Sequence, residues 1–246
     1  RSGCDWSSDV CSSDLMSILR LASVRFLAKA ERNMDTKPQK KNQQVGMLKK
    51  SWKRSEMLRS WVFWAAVPGL MTSPMITTTL FFHQVHLVEI KSWDLSTYVL
   101  FIPAYSAATL FSLYLIGYLV DKLSTKIILP VFLFPLISGL LLLSIATSYL
   151  ELFLIFILLG LSAGAYIVVY GTFFPEFFGS LYLGSVRTVG VTIMVFSSAI
   201  GPVLSGYFID LGFLIDHQFK FFAAFSVFAS ILFLTINLSV KLPENA

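Results

Sequence analysis

Cysteine and charge are scarce in this chain, and both absences narrow what it can be. Its two cysteines, Cys4 and Cys11, lie close to the first residue. From residue 12 onward there is no disulfide, thiolate nucleophile or cysteine-ligated metal to consider. Charged residues make up 13% of the chain, whereas a soluble domain has about a quarter. Hydrophobic residues make up 56%, with 23 phenylalanines, which is typical of a membrane protein.

The first fifteen residues do not share this composition. The stretch CDWSSDVCSSDL, from Cys4 to Leu15, resembles a translated sequencing adapter joined in frame to a gene. We therefore treat residues 1–15 as an artefactual N-terminal extension and exclude them from the fold prediction.

A basic and mostly polar segment follows over residues 16–59, and it holds twelve of the nineteen Lys and Arg residues. Its centre, residues 34–44, has a proline and no apolar period, which predicts a flexible linker. Residues 18–30 fit either a basic amphipathic helix on a membrane surface or part of the same solvated linker. Arg20 and Arg25 interrupt any apolar core of a signal peptide there.

Six uncharged apolar segments of about twenty residues or more fill the rest of the chain. A helix of about twenty residues spans the roughly 30 Å hydrocarbon core of a bilayer and satisfies its own backbone hydrogen bonds there. Buried helices of a soluble protein are the alternative, but the segments show almost no amphipathicity. We predict an all-α membrane protein, a six-helix bundle over residues 60–241 followed by a tail at 242–246. The predicted spans are 61–82, 97–120, 127–150, 152–175, 188–209 and 221–240.

The positions of Lys and Arg predict the orientation in the membrane, because cytoplasmic loops carry the excess of positive charge. With the basic N-terminal segment in the cytoplasm, the cytoplasmic parts hold sixteen Lys and Arg, and the outer loops hold only Lys91 and Lys220. Both termini are therefore predicted to be cytoplasmic, in a multi-pass protein of the cell membrane (plasma or inner membrane).

The stretch GYLVDKLSTK, from Gly117 to Lys126, follows the second predicted span. It is similar to the G-x-x-x-D-[RK]-x-x-x-[RK] loop of the major facilitator superfamily, which follows the second helix of each six-helix half. The resemblance implies that Asp121 caps a neighbouring helix and holds the cytoplasmic side closed in one state. The fifth span is the candidate, since a helix N-terminus favours a carboxylate. A solvated turn holding topology signals is the plainer interpretation.

Two longer stretches extend the resemblance. Residues 55–89, with the phrase FHQ, resemble the seventh helix of oxalate/formate-antiporter-like and monocarboxylate-like facilitators. Residues 173–210 look like the connection between their tenth and eleventh helices. The resemblance implies that the chain is the C-terminal half of a twelve-helix transporter whose N-terminal six-helix half is missing. The predicted cytoplasmic gating residues are Gly117, Asp121, Lys122, Lys126, Glu176 and Arg187.

Polar residues inside the predicted spans are candidates for a solute path, because facilitators bind solute near the midplane between their halves. Each hydroxyl can instead bond to its own helix, and each aromatic ring can simply pack. His83 ionises near physiological pH and lies at the rim of a span, where contact with water is the plainer role. The candidates are Thr78, His83, Gln84, Tyr105, Tyr166, Tyr170 and Ser197.

Small residues recur at helical spacing. Gly160 with Gly164, and Ser197 with Gly201, form small-x-x-x-small pairs that let helix backbones approach. Pro202 removes a helix hydrogen bond, so Gly201 and Pro202 predict a bend that serves either packing or a gating hinge.

The chain differs from the facilitators that it resembles in one respect. Relatives that carry organic anions place an Arg or Lys inside the eighth or eleventh helix, and the matching spans here hold none. Either the missing half supplies the charges or the solute is less charged.

We expect a transporter that moves a small solute, with small organic anions implied by the resemblance, through alternating access. The alternatives are a non-transporting receptor or assembly subunit, and a truncated fragment that is inactive alone. No enzyme motif is present, so we do not expect an enzyme. The expected partners are the lipid bilayer, the solute and the missing half, with no cofactor, metal or nucleic acid.

Overall fold

A computed structural model describes residues 46–48 and 50–240, and this range contains helices, turns and bends but no β-strand. The predicted N-terminal extension at 1–15, the segment at 18–30, the linker centre at 34–44 and the tail at 242–246 lie outside the described residues.

Five helical segments in the described range are long and apolar enough to cross a membrane, which makes the chain a multi-pass membrane protein by length and composition. One of them consists of two helices separated by Phe101 alone. The segments are α2 (Trp61–Phe82), α4 with α5 (Leu95–Leu100 and Ile102–Leu123), α8 (Tyr149–Phe178), α9 (Leu183–Asp210) and α10 (Ile215–Ser239). The shorter helices are α1 (Arg54–Met57), α3 (Gln84–Ile90), α6 (Thr125–Ile128) and α7 (Phe134–Ile145).

The first predicted span coincides with α2, and the second, fourth and fifth extend beyond their predicted bounds at both ends because polar residues cap or continue them. Ser148 and Glu151 form a capping box before α8: the Ser148 Oγ accepts from the Glu151 N–H, and Glu151 accepts from the Ser148 N–H at 2.9 Å. Asp94 caps α4 by accepting from the Thr97 N–H at 2.9 Å.

The third predicted span, 127–150, is not one continuous helix, and this corrects the prediction. Four residues of α6 are followed by turns over 129–133 and then by the twelve residues of α7. Pro130 and Pro135 cause the interruption, because each lacks the N–H that would bond to the carbonyl four residues earlier. The Oγ of Ser230 in α10 donates to the Pro130 carbonyl at 2.5 Å, which stabilises the break.

The interrupted segment nevertheless runs along the length of α8. Its first residue, Thr125, contacts Glu176 near the end of α8. At its far end, the Thr147 N–H donates to Glu151 at 2.7 Å, near the start of α8. The segment therefore lies antiparallel to α8.

The long helices pack in a definite set of pairs. The most extensive contacts are between α5 and α8 and between α2 and α9. Next come α7 with α10, α7 with α8, and α2 with α10. A smaller contact joins α2 to α8. This pattern places α2 and α8 at the centre of the bundle and leaves α5 and α9 with large open faces.

Small residues lie where helices cross, as the sequence predicts. A Cβ on Gly160 or Gly164 would collide with the α5 backbone at Tyr105 or Thr109. A Cβ on Gly201 would collide with the Met75 carbonyl of α2. These glycines set the closest approach in the two largest helix contacts.

Many large apolar side chains of the described residues are exposed, including Leu110 at 70%, Phe196 at 62% and Leu238 at 78%. A soluble protein would hide contiguous apolar surface of this kind, whereas lipid tails cover it without cost. The exposed faces fit the membrane placement.

Candidate functional site

The predicted gating motif ends a helix rather than forming a loop. Asp121 and Lys122 lie in the last turn of α5, and the chain turns at Ser124, which has a φ of +68°. This corrects the prediction that both residues lie in the turn itself. Among the described residues, none forms a hydrogen bond or ion pair with the side chain of Asp121, which is exposed.

The fifth predicted span gains no cap from Asp121. Its helix, α9, begins at Leu183, five residues before the predicted start, and Tyr182 precedes it without a side-chain cap. Gly117, one of the predicted gating residues, faces open space in the described chain.

Glu176 takes the capping position at the third segment instead. Its Oε2 accepts from the Thr125 N–H at 3.0 Å, and its Oε1 lies 2.6 Å from the Thr125 Oγ1. The Thr172 Oγ1 lies 2.6 Å from the same hydroxyl. Because a carboxylate is the stronger acceptor, the Thr125 proton goes to Glu176. The Thr172 hydroxyl donates to the Val168 carbonyl of its own helix at 3.0 Å. Glu176 thereby joins the end of α8 to the residue that follows the turn.

The three predicted gating cations do not join this contact. Lys126 is buried, with 8% exposed, and it has no ion pair within the described chain. Arg187 is exposed on α9 and likewise has no ion pair among the described residues. The Nζ of Lys122 lies 4.6 Å from the ring centre of Tyr118, a cation–π contact within α5. The predicted gating residues are therefore not one network here.

Two of the predicted path residues are neighbours on α8. The rings of Tyr166 and Tyr170 lie 5.7 Å apart, both residues are buried, and neither hydroxyl has a hydrogen-bond partner in the described chain. Ser162, one turn earlier on the same face, also has a buried and unpaired hydroxyl. A Cβ on Gly190 of α9 would lie 3.0 Å from the Tyr170 hydroxyl. Ser162 was missed, although its i−4 spacing from Tyr166 was readable.

This row of three hydroxyls, Ser162–Tyr166–Tyr170, can serve a polar ligand. Buried polar groups are ordinarily hydrogen-bonded, so an unpaired set needs a water or solute as partner. The row is the strongest candidate for a solute contact in the described residues.

Thr78 and Ser197 lie at the crossing of α2 and α9. The Thr78 Oγ1 lies 2.6 Å from the Pro74 carbonyl oxygen and 3.1 Å from the Ser198 carbonyl oxygen across the interface. Pro202 leaves that Ser198 carbonyl without its helical donor, since proline has no N–H. Ser197 is fully buried, and its Oγ donates to the Met194 carbonyl at 2.8 Å. These two hydroxyls are occupied by helix backbone.

His83 lies where α2 ends and α3 begins. Its Nε2 lies 3.0 Å from the carbonyl oxygen of Pro202, so the ring joins this end of α2 to the proline of α9. Gln84 is the first residue of α3 and is partly buried. Among the described residues, no group of three or more His, Cys, Asp and Glu side chains is placed to hold a metal ion.

Tyr105 packs inside the bundle, with its ring 5.5 Å from that of Phe81. It lines a cavity of about 10 Å³ together with Thr77 and Phe81. That volume is close to the minimum for one water molecule, so a solute does not fit there.

Compared with known proteins, the chain matches no family model and no curated protein.

Proposed function

We propose that the chain is the C-terminal six-helix half of a transporter of the major facilitator type, which moves a small solute by alternating access. The observation that carries the proposal is an internal repeat in the helix packing. Two further features support it: the path of the third segment, and the unequal number of cations at the two ends of the bundle.

The repeat becomes visible when α2, α5 and α7 are exchanged in order with α8, α9 and α10. The contact of α5 with α8 then becomes that of α9 with α2, and the contact of α7 with α8 becomes that of α10 with α2. The contacts of α7 with α10 and of α2 with α8 map onto themselves, whereas the smaller contact of α8 with α9 has no counterpart of its size between α2 and α5. If each set of three helices crosses the membrane three times, the second set starts on the opposite side and is inverted relative to the first. Inverted repeats of three helices occur within each half of a major facilitator.

A sixth crossing is required for that inversion, and the third segment supports it. The partners of Thr125 and Thr147 on α8 are Glu176 and Glu151. These two glutamates are 25 residues apart in one helix, or about 38 Å at 1.5 Å per residue. A chain segment that covers this distance exceeds the roughly 30 Å hydrocarbon core, so we propose that residues 125–147 cross the membrane despite the break.

The described charges support the predicted orientation. At the end of the bundle where Glu176 meets Thr125, the described cations are Lys50, Lys53, Arg54, Arg59, Lys122, Lys126 and Arg187. The opposite end holds Lys91 and Lys220, and the Lys91 Nζ lies 2.9 Å from the Asp216 Oδ1. We propose that the first end is cytoplasmic and that both termini lie on that side of the cell membrane.

The solute site is proposed inside the bundle, where three buried hydroxyls lack partners in the described chain. The row Ser162–Tyr166–Tyr170 offers hydroxyls without partners, whereas Thr78, His83 and Ser197 already contact helix backbone. The predicted spans hold no Lys or Arg to pair an anion, and Lys122, Arg187 and Lys220 lie near the ends of their helices. A small organic anion therefore requires cations from the other half.

Reconstitution tests this proposal. The chain is co-expressed with the N-terminal half of a homologous facilitator, and uptake of radiolabelled oxalate, formate and lactate into proteoliposomes is measured. We expect uptake of at least one solute with both halves and none with either half alone. Stable assembly of the halves without uptake of any solute would favour a receptor or assembly subunit.

A further inference from the structure

An open depression of about 430 Å³ lies between α1 and the start of α9, at the end of the bundle that we propose to be cytoplasmic. It takes no part in the gating contacts or in the row of hydroxyls. Its lining combines two cations with hydroxyl groups and one apolar side chain: Lys53, Arg54, Ser55, Leu58, Tyr182 and Ser185.

The two cations are exposed and not neutralised. Lys53 and Arg54 form no ion pair with any described residue, and the Lys53 Nζ lies 5.8 Å from the ring centre of Tyr182. Glu56 is the one carboxylate in α1, and Lys50 pairs with it at 2.7 Å. Glu56 also attracts Lys53, but with Lys50 bound to that carboxylate the two cations leave the depression with a net positive charge.

The hydroxyl groups add hydrogen-bond donors beside the cations. The Ser55 Oγ and the Tyr182 phenol have no hydrogen-bond partner among the described residues. Two cations and two free hydroxyls around one concave surface match the oxygens of a phosphate group, which accept several charge-assisted hydrogen bonds.

The surroundings place the depression at the level of lipid headgroups. Trp61 and Trp64, in the first turn of α2, are 53% and 59% exposed. The Trp64 Nε1 donates to the carbonyl of Leu58 at 2.8 Å, and Leu58 lines the depression. Exposed tryptophans at a helix start are typical of the membrane–water interface. A ligand there would have its polar group on the cations and its apolar part beside the rings.

We propose that this depression binds the phosphate group of an anionic phospholipid in the cytoplasmic leaflet. Anionic lipids give that leaflet its negative surface potential, and basic pockets near helix ends bind their headgroups. The inference depends on the membrane placement and orientation, but it does not depend on transport.

Lipid binding to the purified full chain in detergent tests the proposal. Native mass spectrometry measures the apparent Kd of phosphatidylglycerol and of phosphatidylcholine, for the natural chain and for the double variant Lys53→Gln/Arg54→Gln. We expect phosphatidylglycerol to bind more tightly than phosphatidylcholine. The variant is expected to weaken phosphatidylglycerol binding about 30-fold, since each cation near the surface contributes about fivefold.

The control is Arg59→Gln/Lys122→Gln, which removes the same charge at the same end of the bundle but outside the depression. Its affinity for phosphatidylglycerol is expected to stay within about threefold of the natural chain, because screening weakens distant surface charges. The swapped variant Lys53→Arg/Arg54→Lys, which keeps both charges, is expected to retain binding and shows that the site is still folded.

Three results would overturn the proposal. Equal losses in the double variant and the control would mean diffuse attraction without a site. Equal affinity for the two lipids would mean that no phosphate charge is recognised. Binding of inorganic phosphate to the depression without retention of phosphatidylglycerol would reject the lipid as the ligand.

Discussion

The carboxylate of Glu176 accepts two hydrogen bonds from Thr125, from the backbone N–H at 3.0 Å and from the Oγ1 at 2.6 Å. This contact joins residues 51 positions apart and closes the start of α6 against the end of α8. It places a carboxylate at a helix start beside the facilitator-like motif, but the acid is Glu176 and not Asp121, and the capped element is the third segment and not the predicted fifth span.

Replacing Glu176 by alanine should lower the free energy of unfolding by about 2 kcal/mol, because the Thr125 N–H and hydroxyl lose their acceptor. Thermal unfolding in detergent, followed by circular dichroism, measures the effect. Glu89→Ala is the control, since Glu89 is exposed and its side chain forms no hydrogen bond in the described chain. Similar losses for the two variants would contradict the capping role.

Gly164 and Gly201 should tolerate alanine poorly, and Gly117 should tolerate it well. A Cβ on either of the first two collides with a neighbouring helix backbone, at Thr109 or at Met75. We expect losses of about 1–3 kcal/mol, as for overpacked sites. Gly117→Ala meets open space within helix α5 and should be neutral or stabilising by up to about 1 kcal/mol. Unfolding in detergent compares the three, and a loss at Gly117 as large as at Gly201 would contradict the assigned crossings.

Tyr166→Phe and Tyr170→Phe should leave stability unchanged within about 0.5 kcal/mol or raise it, because neither buried hydroxyl has a partner to lose. The contrasting variant is Ser205→Ala. The Ser205 Oγ donates to the buried Gln218 at 2.6 Å, so its removal should cost about 1–3 kcal/mol. In the reconstituted pair of halves, the tyrosine variants should reduce uptake while assembly stays normal. Full uptake by both variants would remove these tyrosines from the solute path.

Asp94 should make stability depend on acid pH. The backbone N–H and hydroxyl of Thr97 donate to its carboxylate and hold the pKa of Asp94 below its ordinary value. Because the pKa of Asp94 is lower in the folded than in the unfolded chain, its contribution to the free energy of unfolding is complete above the unfolded pKa of about 3.9. The contribution is lost as pH falls through the folded-state pKa.

The measurement is the melting temperature of the natural chain minus that of Asp94→Asn, from pH 7 to pH 3. We expect this difference to stay constant down to about pH 4.5 and then to decrease, because only the natural chain loses the stabilisation from the Asp94 carboxylate. Because the other carboxylates are common to both chains, their titration cancels. A difference that stays constant to pH 3 would contradict the capping contact.

The long helices could be predicted from the sequence because apolar length alone decides them, and α2 was predicted to the residue. The ends were less accurate. The fourth span was predicted to begin at residue 152, although Ser148 and Glu151 already formed a readable capping pattern. The third span was predicted as one helix from the hydrophobicity of residues 127–150. That prediction neglected two prolines in the segment, so the break at Pro130 was missed.

The site could be predicted less well. Tyr166 and Tyr170 were selected because polar residues inside a span are rare, and their place in a solute path stays a prediction. The contact between Glu176 and Thr125 was not found, because it depends on how two distant segments pack and no local spacing encodes it. The predicted role of Asp121 came from resemblance alone, and in the described chain that side chain has no partner.

The most direct test of the proposed six-crossing half is the sidedness of the interrupted third segment. Replacing Cys4 and Cys11 by serine leaves the chain without cysteine. Single cysteines are then introduced at Lys122 and Thr147, which are exposed and flank the segment. A membrane-impermeant maleimide is applied to intact cells and to permeabilised cells. We predict that Thr147→Cys is labelled in intact cells and that Lys122→Cys is labelled only after permeabilisation. Labelling of both positions from the same side would show that residues 125–147 do not cross, and would contradict the account.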